Sequence, residues 1–301
     1  MRALITGGAG FVGRALHAHL RANGDEVTVS DRSLGGPDIA DRDAVFAHMR
    51  DASPEVVYHL AGQAHVPTAW SDPIGTLRAN VEGTQNVLDA ARHSGARRVL
   101  AVTSAEVYGK VTDDDLPIGE AHPLHPMNPY AASKVAADAV ATAAHLGSGQ
   151  DVIRLRAFNH IGPGQRTDFV AAGLAARIVE AEAAGHRHIT VGNLSPRRDF
   201  TDVRDVVRAY RLVAEHGESG AVYNVCSGID RSIGELAERL VELAGTSLAL
   251  EPDAELQRPS DNPIVVGDNR RIRSATGWEP ELSLDQSLVD VLEDARSRRD
   301  G

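Results

Sequence analysis

The chain has 301 residues, enough for about two ordinary domains or one large α/β domain with a lobe attached. Its 31 basic and 42 acidic residues give a formal charge of −11. This balance argues against a protein that binds nucleic-acid backbones or anionic membranes, because phosphate contacts need a surplus of Lys and Arg. The single cysteine, Cys226, excludes an intrachain disulfide and a cysteine-based zinc site.

The sequence shows no targeting pattern. No apolar run approaches the roughly 20 residues that span a bilayer. The N-terminal segment runs directly into a short apolar strand pattern and does not resemble a signal peptide. We therefore expect a cytoplasmic protein that does not enter membranes. The 13 histidines show no metal-ligand spacing, so no metal site is expected.

The first hundred residues alternate between strand and helix patterns. Strand patterns cover residues 2–6, 26–30, 55–60 and 97–103, and helical patterns cover residues 11–22, 41–52 and 73–93. Repeated strand–helix–strand units predict a parallel sheet covered by helices on both faces. Because crossovers between parallel strands are right-handed, the sequence predicts an α/β fold with a doubly wound, Rossmann-type sheet.

The second half of the chain has shorter elements. We predict helices over residues 128–146, 169–184, 203–215 and 283–298, a helix after the capping box of Ser232 and Glu235, and strands over residues 152–156, 188–191 and 221–225. These elements predict a smaller C-terminal α/β lobe, residues 163–301, packed on a first domain, residues 1–162. Segments around residues 200–228 are expected to return to the first domain.

A glycine-rich turn joins the first strand to the first helix. The segment TGGAGFVG places glycines at Gly7, Gly10 and Gly13. Gly7 permits a tight turn, Gly10 lets the backbone approach a pyrophosphate, and Gly13 allows the helix to pack closely on the strand. The predicted helix begins at Phe11, and Val12 follows in its first turn. Free N–H groups and the positive end of the helix dipole at this end favour the binding of phosphates. This pattern predicts that the first domain binds a dinucleotide.

An acidic residue after the second strand indicates which dinucleotide is bound. Asp31 is placed to accept a hydrogen bond from a ribose hydroxyl of adenosine, and its charge would repel a 2′-phosphate. This favours NAD(H). NADP(H) is the alternative, because the neighbouring Arg32 could pair with a phosphate. Asp38 and Ile39 are candidates for the adenine edge of the site, although an ordinary strand end would look the same.

Two residues of the helix predicted at 128–146 form a candidate catalytic pair. Tyr130 and Lys134 are four residues apart and therefore share one helix face. An ammonium beside a phenol favours the phenolate, so we expect the pKa of Tyr130 to fall toward the working range of an acid–base catalyst. Ser104, at the end of a predicted strand, is a candidate third member that could hydrogen-bond the same substrate oxygen.

Several segments together resemble one known family. The glycine-rich turn and the segments YHLAG, TSAEVYG and NPYAASK are similar to those of the extended short-chain dehydrogenase/reductase superfamily. The segments FNHIGPGQ, VGNLSPRRDFTDVRDVVRAY, YNVCSG and RPSD further resemble its nucleotide-sugar branch, in which the GDP-6-deoxy-D-mannose reductases are most similar. The matching segments extend over nearly the whole chain.

The resemblance implies an activity and roles for individual residues. It makes Tyr130 the proton donor, Lys134 its pKa partner and a ligand of the nicotinamide ribose, and Ser104 the hydroxyl that orients the substrate. Asn80 matches a position that usually ties two strands together in this family, which implies a structural role. The segment that lines the cofactor in this family matches Leu60, Ala61 and Gly62. The implied reaction is NAD(P)H-dependent reduction of the C4 ketone of a nucleotide-linked 4-keto-6-deoxy sugar, with hydride transfer to C4.

A sugar nucleotide carries two phosphates, so its pocket needs local positive charge despite the acidic total. The resemblance places Arg198 at the pyrophosphate, and Arg258 with Asp261, from the RPSD motif, on the nucleotide side; the guanidinium fork suits phosphates. Asn159 matches an asparagine that hydrogen-bonds the substrate. The segment GNL around Asn193 replaces the Gly-Asp-Gly usual in enzymes acting on dTDP- or UDP-sugars, which favours a GDP-sugar.

Other functions on the same fold compete with reduction. Dehydratases commonly carry Asp-Glu after the catalytic hydroxyl, and this chain has Ala105 and Glu106, so Glu106 could contact substrate as a base but Ala105 cannot be the acid. A 4-epimerase uses the same three catalytic residues and stays open. A non-catalytic dinucleotide sensor would be expected to lack Tyr130 or Lys134. The resemblance also implies a homodimer through the helices that hold Asn80 and Tyr130.

Overall fold

The computed structural model describes residues 1–253, 256 and 262–300. The strands are β1 (Arg2–Thr6), β2 (Glu26–Ser30), β3 (Val56–His59), β4 (Arg98–Val102), β5 (Val152–Ala157), β6 (Asn159–Ile161), β7 (His188–Val191), β8 (Arg197–Asp202), β9 (Val222–Val225), β10 (Asp230–Ser232), β11 (Ala249–Pro252) and β12 (Ile264–Val265). The helices are α1 (Phe11–Ala22), α2 (Arg42–Ala52), α3 (Val66–Ser71), α4 (Pro73–Leu77), α5 (Gly83–Ser94), α6 (Pro129–Ser148), α7 (Val170–Ala184), α8 (Val203–His216), α9 (Ile233–Ala244), α10 (Arg270–Thr276) and α11 (Leu284–Asp300).

The main sheet has six parallel strands in the order β2-β1-β3-β4-β5-β9. Buried apolar residues such as Leu4, Val57 and Leu100 fill its central strands, as helices on both faces require. The predicted α/β fold with a doubly wound parallel sheet is thus confirmed. The order reverses at β1, because β2 lies on one side and β3 on the other. Ligands of such sheets bind in the crevice at this point, beyond the carboxyl ends of the strands.

The spacing of apolar residues predicted the bounds of several elements to within about one residue. The bounds of β1, α1 and β2 coincide with the predicted residues. The predicted helix at 41–52 begins one residue later, because the Asp41 side chain accepts a hydrogen bond from Ala44 N at 3.1 Å and caps α2. The capping box is also present at α9, where Ser232 Oγ accepts from Glu235 N at 2.9 Å.

The helix predicted at 73–93 differs from the observed structure. It consists of α4 and α5, joined by a π-helical stretch over Arg78–Glu82. Within it the Asn80 carbonyl accepts a hydrogen bond from Thr84 Oγ1 at 2.6 Å. Such local widening of a helix frequently occurs at functional sites.

Smaller sheets build the second half of the chain. Strand β8 lies between β10 and β12 and also pairs with β6, and β7 pairs with β11. A second hydrophobic cluster unites α7, α9 and α11 around residues such as Leu174, Leu236 and Leu288. Between α7 and α9 the chain returns to the main sheet: β9 pairs with β5, and α8 packs on α1 in the first hydrophobic cluster.

The described residues contain neither a membrane-spanning helix nor a metal cluster. None of the helices in residues 1–253 and 262–300 is both long and apolar enough to cross a lipid bilayer. Within the same residues no group of three or more His, Cys, Asp or Glu side chains could hold a metal ion.

Candidate active site

A cavity of about 1470 Å³ extends from the glycine-rich turn after β1 to β6 and β8 of the second sheet. It brings together residues from both halves of the chain. The predicted site residues in its wall are Gly7, Gly10, Phe11, Val12, Gly13, Asp31, Arg32, Asp38, Ile39, Leu60, Ala61, Gly62, Ser104, Glu106, Tyr130, Lys134, Asn159 and Arg198. The cavity lies at the carboxyl edge of the main sheet, where the strand order reverses.

Of the predicted site residues that the structure describes, one is not in this wall. Asn193 does not line the cavity; its amide oxygen accepts hydrogen bonds from the backbone and hydroxyl of Ser195, at 3.0 and 2.8 Å. Asn193 was predicted to be a substrate-binding residue, and its amide oxygen is engaged by this local turn. Arg258 and Asp261 lie outside the described residues.

The glycine-rich turn is packed so tightly that only backbone fits. Gly7 has a φ of +72°, and a Cβ there would lie 2.8 Å from Ala61 N, in the loop after β3. A Cβ on Gly13 would lie 2.3 Å from Gly7 O. Gly10 precedes α1 and supplies no side chain to cap it, so the positive end of the helix faces the cavity. These features fit the pyrophosphate of a dinucleotide, as the sequence predicts.

Acidic residues lie at the end of β2. Asp31 accepts hydrogen bonds from Ser33 N at 3.0 Å, Ser33 Oγ at 2.8 Å and Ala9 N at 3.2 Å. Burial alone would raise the pKa of Asp31, but these hydrogen bonds outweigh it and lower the pKa, so the side chain stays ionised. Arg32 is paired with Asp38, whose second oxygen accepts from Ala40 N.

The three candidate catalytic side chains come from two neighbouring segments. Asn128 caps α6 by accepting a hydrogen bond from Ala131 N at 2.8 Å, which places Tyr130 in the first turn and Lys134 one turn later. Ser104 lies just beyond β4, and its hydroxyl hydrogen-bonds the Tyr130 phenol. Lys134 Nζ donates to Val102 O at 3.2 Å. Ser104, Tyr130 and Lys134 all line the same cavity.

The expected lowering of the Tyr130 pKa is wrong. Burial raises the pKa of Tyr130 to about 12, and the hydrogen bond from Ser104 offsets only part of this, while the Glu106 carboxylate adds to it. The same burial lowers the pKa of Lys134 to about 8, because removing the ammonium from water disfavours the charged form. Tyr130 is thus a protonated phenol, suited to donating a proton, and Lys134, one helical turn later in α6, has a pKa of about 8.

The opposite wall of the cavity carries polar side chains of the second half. Asn159 begins β6 and is exposed, and Arg198 lies in β8. Burial lowers the pKa of Arg198, and the nearby Glu106 carboxylate opposes this effect. Asn128 Nδ2 also approaches Glu106 Oε2, at 3.5 Å. An anion in the cavity would therefore meet a guanidinium that is already partly withdrawn from water.

Sequence reasoning missed several residues of the wall. Arg14 donates to Ala9 O at 2.5 Å and to Gly164 O at 3.0 Å, so it connects the glycine-rich turn with the loop after β6. The His160 ring stacks on Phe11, with ring centroids 5.9 Å apart. The position of Arg14 next to Gly13 could have indicated that it lies at the site. Its contact with Gly164 could not be predicted from local sequence.

A known family shares this arrangement of residues. The model of the NAD dependent epimerase/dehydratase family matches residues 3–226, which span the glycine-rich turn, the Ser104–Tyr130–Lys134 group and β8. The chain belongs to this family. The resemblance noted in the sequence is thereby confirmed, and membership makes the chain an enzyme that uses a nicotinamide dinucleotide.

Individual members of the family are similar over their full lengths. The GDP-6-deoxy-D-mannose reductase of Pseudomonas aeruginosa is 39% identical, over 99% of this chain and 98% of that protein. The structure of RMD from Pseudomonas aeruginosa complexed with NADPH superimposes with a TM-score of 0.91 at 39% identity, covering 99% of this chain and 100% of that one. The UDP-glucose 4-epimerase of Thermus thermophilus, in complex with NAD, gives a TM-score of 0.86 at 28% identity, covering 98% and 99%.

Proposed function

We propose that this family member reduces the C4 ketone of a GDP-linked 4-keto-6-deoxy sugar. GDP-4-keto-6-deoxy-mannose is the best candidate substrate, with GDP-rhamnose or GDP-6-deoxy-talose as product. The observation that carries the proposal is that Ser104, Tyr130 and Lys134 share one cavity with the glycine-rich turn and with Arg198. The GDP-6-deoxy-D-mannose reductase that is 39% identical over the whole chain supports it.

The chain's own residues would prepare the ketone and deliver the proton. The Tyr130 phenol, protonated and hydrogen-bonded to Ser104, donates its proton to the oxygen at C4 as that oxygen becomes an alkoxide. Ser104 orients the same oxygen, and the Lys134 ammonium stabilises the phenolate that Tyr130 leaves behind. The reduced nicotinamide supplies the hydride. Reduction therefore needs an acid and a positioned carbonyl, and the cavity offers both.

The nucleotide part of the substrate is proposed to bind in the second half of the cavity. The guanidinium of Arg198 suits a diphosphate, and the exposed Asn159 can hydrogen-bond the substrate. Roles for Arg258, Asp261 and Asn193 rest on the motif resemblance alone. The proposed division of the chain follows, with a dinucleotide domain near residues 1–162, later strands returning to it, and a substrate lobe from residue 163.

NAD(H) is proposed as the preferred cofactor, with NADP(H) as the alternative. The ionised Asp31 at the end of β2 supports NAD(H), because it would repel a 2′-phosphate. A similar protein of known structure binds NADPH and another binds NAD, so the relatives allow either choice. Replacing Asp31 by alanine is expected to narrow the preference for NADH. A wild-type enzyme that already favours NADPH would contradict this role of Asp31.

A homodimer and a cytoplasmic location complete the proposal. Trp70 and Ile74 are 63% and 65% exposed, on α3 and α4, which pack against α6. Large apolar side chains exposed this far favour contact with another protein surface. The family resemblance implies that this surface is a second copy of the chain.

The decisive experiment incubates purified protein with GDP-4-keto-6-deoxy-mannose and either NADH or NADPH while the nucleotide absorbance is followed. We expect stoichiometric oxidation of the nucleotide and loss of the ketone. Two parallel incubations test the alternatives. With a GDP-6-deoxy sugar that carries a C4 hydroxyl, interconversion of the C4 epimers without net cofactor consumption would assign the chain as a 4-epimerase. With GDP-mannose, its consumption with release of water would assign the chain as a 4,6-dehydratase.

A further inference from the structure

A fully enclosed histidine lies beneath the candidate active site. His59 ends β3, directly before the cofactor-lining residues 60–62, and only 3% of it is exposed. Its Nδ1 is 2.8 Å from Thr6 Oγ1, and its Nε2 is 3.0 Å from Thr84 Oγ1. Burial, assisted by the positive charge of Lys134, lowers the pKa of His59 to about 3. The imidazole is therefore neutral at physiological pH and cannot act as an acid or base there.

The neighbouring groups fix which nitrogen of His59 carries the proton. The Thr84 hydroxyl has one hydrogen and donates it to Asn80 O at 2.6 Å, so it accepts from His59 Nε2–H. Nδ1 of the neutral ring must then accept, and Thr6 Oγ1 donates to it. Thr6 Oγ1 in turn accepts from Ala61 N at 3.3 Å. The bonds thus form a chain in a single direction from Ala61 to Asn80.

Asn80 connects this chain to the catalytic helix. Its side-chain oxygen accepts from Gln63 N at 2.8 Å, and its Nδ2 donates to Gln63 O at 2.9 Å and to Ser133 Oγ at 2.8 Å. Ser133 Oγ donates to Tyr130 O at 2.7 Å. Ser133 lies between Tyr130 and Lys134 in α6, so the hydrogen bonds reach the backbone of the candidate acid.

The loop at residues 61–63 is therefore held at both ends. Ala61 is bound through Thr6, and Gln63 is bound through Asn80. Between them lies Gly62, where a Cβ would be 2.5 Å from Asn80 Oδ1 and 3.7 Å from Lys134 Nζ. This loop both lines the cavity and faces the lysine. A displacement of the loop would change the position of the cofactor relative to Tyr130 and Lys134.

We propose that His59 is a positioning residue: through Thr6 and Thr84 it fixes the loop at residues 61–63 relative to the catalytic helix α6. It touches neither substrate nor cofactor. Its contribution is to hold two parts of the site in register, and misplacement of reacting groups by about 1 Å can cost on the order of 100-fold in rate. The inference rests on the proposed function for its kinetic consequence, but its effect on cofactor binding does not.

Two substitutions separate the two halves of the chain of hydrogen bonds. In His59→Asn the amide oxygen replaces Nδ1 as acceptor for Thr6 and nothing reaches Thr84. In His59→Gln the amide nitrogen replaces Nε2 as donor to Thr84 and the acceptor for Thr6 is lost. We expect His59→Asn to lower kcat by about tenfold or more. We expect His59→Gln to keep kcat within about threefold and to weaken NADH and NADPH binding, measured by fluorescence titration.

Thr84→Val tests the same link without altering the histidine. It is expected to lower kcat as His59→Asn does, and the double variant is expected to be no worse than either single variant, because both break one connection. Thr201→Val is the matched control. Thr201 is buried in β8, and its hydroxyl has no partner among the described residues, so its loss should leave kcat unchanged. All assays are run well below the melting temperature of each variant.

The outcomes distinguish the inference from the proposed function. If the wild type reduces the ketosugar and the His59 and Thr84 variants match it in kcat and in cofactor dissociation constant, the positioning role is wrong. The positioning role would likewise be wrong if the variants lowered only the melting temperature and the decreases added in the double variant. If the wild type does not reduce the ketosugar, the proposed function fails, and the cofactor titrations of His59→Gln still decide the inference. Because Thr84→Val leaves the ring intact, the kinetic test does not depend on the folding of the histidine variants.

Discussion

The guanidinium of Arg32 is paired with Asp38, with Arg32 Nη1 3.0 Å from Asp38 Oδ2, at the rim of the cavity beside Asp31. The arginine that could bind a 2′-phosphate is therefore already engaged by a carboxylate. Two carboxylates and one engaged guanidinium together make this end of the cavity unfavourable for a phosphate.

Releasing Arg32 should change the cofactor preference. In Asp38→Asn the guanidinium loses its charged partner and one negative charge leaves the rim. We expect the ratio of kcat/KM for NADPH to that for NADH to rise by about fivefold or more. Asp43→Asn is the control, since this side chain is fully exposed in α2 and lies outside the cavity wall. An unchanged ratio in Asp38→Asn would show that Arg32 does not reach the adenosine ribose.

The buried lysine should cost the enzyme stability. Burial lowers the pKa of Lys134 from 10.5 to about 8, so the native state holds this proton less tightly than the unfolded chain. The free energy of unfolding therefore rises with pH between about 8 and 10.5, and the penalty is fully present below pH 8. A shift of this size corresponds to about 3 kcal/mol.

Lys134→Met should consequently be more stable and inactive. Denaturant unfolding at pH 7 is expected to show a gain of up to about 3 kcal/mol over the wild type, and the gain should shrink as the pH approaches 10. Turnover should be lost, because no ammonium remains to stabilise the Tyr130 phenolate. A Lys134→Met protein that is less stable than the wild type at pH 7 would contradict the cost assigned to this burial.

Removing the phenol hydroxyl of Tyr130 should separate chemistry from binding. Tyr130→Phe keeps the ring but has no proton to donate, so we expect turnover to fall by at least about 100-fold. The dissociation constant of the cofactor, measured by fluorescence, should change by less than about threefold. Tyr58→Phe is the matched control, because the Tyr58 hydroxyl is buried in β3 and has no partner among residues 1–253 and 262–300. Unchanged turnover in Tyr130→Phe would remove this residue from the mechanism.

A single methyl group at Gly13 should weaken cofactor binding. The Cβ of Gly13→Ala would lie 2.3 Å from Gly7 O and 2.6 Å from Gly8 Cα, both backbone atoms that cannot rotate away. Helix α1 must then move from the turn, and we expect the cofactor dissociation constant to rise by about tenfold or more. Gly147→Ala, in α6, meets no atom within 4 Å and should leave binding unchanged. Equal affinity in the two variants would show that the close packing is not needed.

The strands and helices of the first domain could be predicted because each has a local sequence pattern, whereas the strand order was not predicted. The sequence of β1 is a short apolar run, and polar and apolar residues alternate in β2. The glycines between β1 and α1 mark the turn. Strand β8 was not predicted as a strand, because RRDFTD has the composition of a surface segment. Its Asp199 is buried and accepts hydrogen bonds from Ser227, Gly228 and Gly267, which are distant in sequence.

For the candidate site, too, the sequence predicted what depends on local spacing and did not predict what depends on distant parts of the chain. Spacing alone placed Tyr130 and Lys134 on one helix face, but the direction of the Tyr130 pKa depends on how deeply the fold buries it. The side chains of Asn159 and Arg198 were assigned by resemblance, since nothing in their neighbourhood predicts that β6 and β8 face the glycine-rich turn. The Asn193 side chain carries an amide that is suited to a polar contact, but its oxygen accepts hydrogen bonds from Ser195 in the same loop.

Arg14 connects the two halves of the chain by hydrogen bonds. Its guanidinium binds a carbonyl of the glycine-rich turn, Ala9, and a carbonyl of the loop after β6, Gly164. An outward movement of that loop would have to break this bridge or pull on the glycine-rich turn. The loop and the turn are therefore mechanically coupled, both through Arg14 and through the stacked rings of His160 and Phe11.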